Sequence, residues 1–76
     1  MKEPGDFRHH LFMARRRTGM SQRALAEVAG LSLDSISKLE RGKRSPNLTA
    51  ICLLARALEV KPSELIDGLR PPRPLP

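Results

Sequence analysis

The residues best able to do chemistry in this chain lie between Ser32 and Arg44, and the chemistry they suit is the holding of a phosphate strand. Lys43 and Arg44 sit in the loop Gly42-Lys43-Arg44-Ser45-Pro46, just after a segment ending in Arg41. Two cations and free backbone N–H groups there match the donors that grip phosphate oxygens. Read at 3.6 residues per turn, Ile36 and Leu39 share one side of the preceding segment, which leaves Leu33, Asp34, Ser37 and Lys38 on the other. Other chemistries find no residues. No glycine-rich pocket loop, carboxylate pair or Cys–His pair occurs at useful spacing, so neither an enzyme nor a cofactor is expected. His9 and His10 lack a further ligand at metal-binding spacing, so no metal site is expected.

Gln22 to Arg41, QRALAEVAGLSLDSISKLER, positions these groups. The spacing predicts two short helices hinged at Gly30, where a tight turn needs a residue at ease with positive φ. Leu25, Ala26 and Ala29 share a face of the first helix, and Ala26 is small where the second must cross closely. That is a helix-turn-helix pattern, in which the second helix is offered to a DNA groove. Ser21 caps the first helix, with Ala24 in place of the acidic residue that would complete a capping box. Ser32 caps the second, which runs over 32–41 and stops at Gly42.

The wider stretch GMSQRALAEVAGLSLDSISKLERGKRSPNLTAICLLARALEV resembles the Xre-type DNA-binding domain of phage repressors and Cro. Gly19, Ser21-Gln22, Leu25-Ala26, Gly30, Ile36, Leu39-Glu40, Gly42, Pro46 and Leu54-Ala55 carry the resemblance, which runs from about Leu11 to Ile66. It implies an all-α fold, a compact five-helix bundle with a central helix-turn-helix. It also implies that Leu33, Asp34, Ser37 and Lys38 reach base edges in double-stranded DNA. Phosphates would be held by Gln22, Arg23, Ser32, Arg41, Lys43 and Arg44. Gln22, aimed outward at the positive end of its helix, would also buttress the reading helix; a solvated helix-start glutamine is the alternative. Arg15 matches an arginine that pairs, buried, with the glutamate ending the reading helix, here Glu40. Asp34 has two readings: it favours the helix dipole from the first turn, or it accepts from a cytosine N4–H₂.

The flanks are plainer. Residues 1–5 read as an arm, 6–69 as the domain and 70–76, RPPRPLP, as a Pro-rich tail that is irregular or polyproline II. Asp6 caps a first helix from Phe7 to about Thr18, with Phe7, Leu11 and Ala14 on one face and Gly19 as its stop. Phe12, Met13 and Val28 are apolar where the resembling family is polar, and Ala29 is small where that family is larger. Asn47 caps a fourth helix whose core stripe is Leu48, Ile51, Cys52, Leu54, Ala55 and Leu58. Leu53 lies opposite that stripe, between Ala50 and Ala57, and these three form the expected homodimer surface. Pro62 opens a short fifth helix, Ser63 to Asp67, with Leu65 and Ile66 packing back and Gly68 as the stop. Lys61 stands where a capping hydroxyl would help.

Seventy-six residues make one small domain. Fourteen Lys/Arg against eight Asp/Glu give +6. Residues 1–46 hold ten basic and five acidic groups, net +5, and 47–76 hold four and three, net +1. A basic half carrying the helix pair is the footprint of a phosphate-backbone binder, with a solvated basic surface as the alternative on charge alone. One cysteine suits a reducing cytosol, and no apolar run or signal peptide points to a membrane, so a cytoplasmic protein is expected. The partners expected are DNA and a second copy of the chain. A protein partner such as RNA polymerase, or a toxin in an antitoxin-like role, is left open.

Overall fold

The computed structural model describes residues 7–66, and within them every regular element is a helix. In chain order these are α1 (Phe7–Thr18), α2 (Gln22–Ala29), α3 (Leu33–Glu40), α4 (Leu48–Leu58) and α5 (Pro62–Ile66). The five-helix, strand-free bundle expected from the sequence is the observed fold. The arm, the Asp6 cap, Asp67, the Gly68 stop and the Pro-rich tail lie outside the described residues.

The largest fully buried side chains are Leu11, Leu25, Ile36, Leu54 and Leu65, one from each helix. No helix therefore holds its place by propensity alone, and each is fixed by the others. Burying such a side chain stabilises by about 1.5–3 kcal/mol. The helices are short, so local capping matters. Ser21 Oγ accepts from the Ala24 N–H, Ser32 Oγ from Ser35 and Asn47 Oδ1 from Ala50, at 2.7–3.0 Å. Gly30, at φ 76°, ends α2 in the left-handed region, and the Gly30 and Leu31 N–H groups both return to the Ala26 carbonyl. α4 ends the same way at Glu59, φ 58°, without a glycine. At α5 the Glu64 carboxylate accepts from the Lys61 N–H at 3.4 Å, the reciprocal half of a capping box whose hydroxyl half Lys61 cannot supply.

Three sequence expectations for α4 and α5 differ from the structure. Leu48 is 75% exposed and Cys52 is exposed, so neither belongs to the core stripe, whereas Ala57 is 8% exposed and buried. Leu53 is half-buried and packed against the core, and Ala50 is half-buried. Of the expected dimer surface, Ala57 is thus inside the subunit, while Ala50 and Leu53 are partly covered. The reason is rotation: α4 packs against α2, α5 and α1. At 100° per residue its covered arc is about 200° wide, excludes Leu48 and Cys52 and takes in Ala50, Leu53 and Ala57, so its centre lies about 80° from that of the inferred stripe. Ile66, expected to pack back, is exposed, and Leu65 alone of that pair enters the core.

These placements predict opposite outcomes for two α4 substitutions in urea unfolding. Cys52→Ser changes stability by less than about 0.5 kcal/mol, as for an exposed site. Ala57→Glu, which forces a carboxylate into the bundle, costs about 2 kcal/mol or more. In the folded protein Cys52 also reacts with a water-soluble thiol reagent at close to the rate of the unfolded chain.

Candidate nucleic-acid interface

α3 is short, and its orientation depends on how its two ends are held. At its start Ser32 provides the cap, and the Ser32 hydroxyl donates to Ser35 Oγ at 2.9 Å. Along its length the buried Ile36 and Leu39 fix the inner side. Leu33 and Asp34 are then exposed, and Ser37 and Lys38 half-exposed, on the outer side.

At its end stands Glu40. Arg15 of α1 meets it with two parallel bonds, Nε to Oε2 at 2.6 Å and Nη2 to Oε1 at 2.9 Å. The guanidinium also donates from Nη1 to the Met20 carbonyl at 3.0 Å. Gln22, the first residue of α2, donates from Nε2 to the same Glu40 Oε1 at 3.0 Å. Both charged side chains are withdrawn from water, 11% exposed for Arg15 and 5% for Glu40. The Arg15 pKa is raised by its hydrogen bond to Glu40, against the opposing effect of burial and with help from the carboxylate charge. One carboxylate therefore joins α1, α2 and α3. One donor of Gln22 is turned in to this junction, where it buttresses the end of α3 as the resemblance implied.

The loop after α3 is more tied down than expected. The Gly42 N–H bonds back to the Leu39 carbonyl at 3.2 Å, and the Lys43 N–H to the Lys38 carbonyl at 2.8 Å. Those two N–H groups close the helix and are not spare donors for a ligand. Gly42 is favoured by its φ of 74°, and the Arg8 side chain packs over it, Nη1 lying 3.0 Å from where a Cβ would stand. Arg8, which sequence reasoning passed over, lies across this turn and approaches the Arg41 carbonyl at 3.5 Å. Arg44 leans back on α3, Nη1 to Ser35 Oγ at 3.0 Å. Arg23, Arg41, Lys43 and Arg44 are all exposed.

Asp34 acquires a third reading. Its Oδ2 lies 3.1 Å from Lys38 Nζ, an i,i+4 pair across one turn. A pair this open to solvent is worth only about 0.3–0.5 kcal/mol, so both groups can be redirected at little cost. The outer side of α3 thus carries a neutralised acid–base pair beside the apolar Leu33, with cations around its rim. Among the described residues no cluster of three or more metal-ligating side chains occurs, and no helix is long and apolar enough to cross a membrane.

A family model described as helix-turn-helix matches residues 11–65. The chain belongs to the Xre-type helix-turn-helix family. Among its relatives is y4dL of Sinorhizobium fredii, described as an uncharacterized HTH-type transcriptional regulator, 38% identical over 61 residues. That match covers 75% of this chain but 31% of y4dL, so the chain spans about a third of that relative. Among solved structures, the restriction-modification controller protein C.AhdI from Aeromonas hydrophila is 38% identical, with a TM-score of 0.77 over 80% of this chain and 92% of that one. The P22 c2 repressor in complex with a synthetic operator is 26% identical, with a TM-score of 0.76 over 90% of this chain and 98% of that one.

Glu40→Gln tests the three-helix junction. It keeps the shape and strands the Arg15 charge, so unfolding free energy falls by about 3 kcal/mol, a large part of the stability of so small a domain. A urea midpoint equal to wild type would show the two groups to be independent surface charges.

Proposed function

We propose that the protein is a sequence-specific, double-stranded-DNA-binding transcriptional regulator that acts as a homodimer on a (pseudo)palindromic operator. The observation that carries this reading is the outer side of α3, a row of Leu33, Asp34, Ser37 and Lys38 held rigidly outward by the Glu40 junction and rimmed by cations. The operator-bound repressor and the controller protein among the structural relatives support it. The family is one of regulators rather than enzymes, and no cofactor enters the mechanism.

The mechanism follows from the charges and the geometry. A net charge of +6 steers the protein to DNA and releases counterions on contact. Arg23, Arg41, Lys43 and Arg44 take phosphates, and Gln22 does so with the second N–H of the amide that braces Glu40. Ser32 joins them from the start of α3. With α3 in the major groove, Asp34 releases Lys38 and accepts from a cytosine N4–H₂, Leu33 meets a thymine methyl, and Lys38 reaches a guanine O6/N7 or a phosphate. Ser37 can donate to or accept from either base of a pair. A two-fold dimer sets its two α3 helices about 34–36 Å apart, one turn of DNA. Its contact surface is not the buried Ala57 side of α4.

Asp34→Asn separates reading from mere tolerance, once the preferred site has been selected from a random DNA pool. At fixed salt the variant loses about 1–3 kcal/mol of preference at one base pair, while its affinity for unrelated DNA rises. Base preferences superimposable on wild type would remove Asp34 from the reading face. Lys43→Ala combined with Arg44→Ala lowers the slope of log affinity against log salt by about 2 and leaves the base preferences as they were. Sedimentation with the selected duplex gives two chains per site, and one chain would contradict the homodimer.

A further inference from the structure

α1 carries a second exposed surface that DNA recognition does not use. Its inner side holds Phe7, Leu11 and Ala14 in the core, and its edge toward α3 is the pair Arg8 and Arg15. The remaining side is made of His9, Phe12, Met13, Arg16 and Arg17, centred about 120° round the helix from that edge at 100° per residue. Phe12 is 37% exposed and Met13 42% exposed, next to each other, with the three polar residues also exposed. Arg15 and Arg16 each place their guanidinium carbon 5.5 Å from the Phe12 ring centroid. No acidic residue occurs anywhere in α1.

We propose that this face of α1 is a docking surface for an acidic protein segment, a helix or extended stretch whose carboxylates meet Arg16 and Arg17 while an apolar side chain covers Phe12 and Met13. Charge complementarity selects that occupant over the alternatives. A phosphate backbone would satisfy the arginines but offers nothing to bury a phenyl ring and a thioether against. A second copy docked two-fold on the same face would set arginine against arginine with no carboxylate on either helix. An acidic segment with an apolar anchor satisfies both halves of the surface. Two guanidinium groups already lie over the Phe12 ring, which favours that ring position before docking. The proposal goes beyond the DNA-binding reading and does not depend on it.

The test uses the whole chain, labelled with ¹⁵N, and a synthetic helical peptide of glutamates carrying two leucines one turn apart. Amide shifts should move over residues 9–17 and leave Lys43 and Arg44 in place. Replacing the leucines of the peptide by serine weakens binding by about tenfold, and Arg16→Glu or Met13→Ser in the protein does the same, while affinity for DNA stays within about twofold. Four results would overturn the proposal: equal binding of the serine peptide, shifts centred on Lys43 and Arg44, a loss of DNA affinity in Arg16→Glu as large as in Lys43→Ala, or peptide-free shifts over 9–17 that grow with protein concentration. The last would make the face a contact between copies, and the third would make it an edge of the DNA site.

Discussion

A carboxylate taken out of water must find partners, and at Glu40 that requirement fixes the relation of three helices. Arg15 comes from the last third of α1, Gln22 opens α2 and Glu40 closes α3, and the bonds that join them are 2.6–3.0 Å long. Apolar packing alone would leave an eight-residue helix some freedom to roll, because Ile36 and Leu39 define only a stripe. The paired arginine is directional. Its two parallel bonds hold the end of α3 at a fixed angle, and its third bond, to Met20, anchors the turn that leads into α2. The orientation of the outer residues of α3 is therefore set from behind by polar geometry, not only by the core.

That arrangement lets a small domain hold the outer side of α3 in place without spending the exposed side chains of that helix on holding itself together. The contacts behind α3 are withdrawn from solvent and costly to break. Those in front of it, the Asp34–Lys38 pair and the Arg44–Ser35 bond, are exposed and cheap to exchange. Rigidity and adaptability are thus on opposite sides of one helix. Gln22 is common to both, since one amide can brace Glu40 and still offer a donor outward.

Much of the fold was legible because its signals are local. Ser21, Ser32 and Asn47 are capping residues one position before the helices they start, Gly19, Gly30 and Gly42 all have positive φ, and each helix contributes one large apolar side chain to the centre. What escaped is non-local. The rotation of α4 could not be read from its own pattern, because Leu48 and Cys52 are apolar yet lie on the arc that no other helix covers. Glu59 ends α4 in the left-handed region with a residue that carries no such signal. At the site, the pairing of Arg15 with Glu40 came through family resemblance, spacing being silent about residues 25 apart in sequence. The buttressing by Gln22 likewise came through the resemblance, whereas the closure of α3 by the Lys43 N–H and the crossing of Arg8 over Gly42 each need the folded chain to be seen.

We propose that α3, held from behind at Glu40, reads bases from the major groove. Methylation interference on the selected DNA site tests it most directly, since dimethyl sulfate modifies guanine at N7 in the major groove and adenine at N3 in the minor groove. N7-methylguanine within each half-site is expected to block binding, whereas N3-methyladenine elsewhere in the same half-sites is tolerated. Interference confined to adenine N3, or none from guanine N7 at any contacted pair, would contradict it.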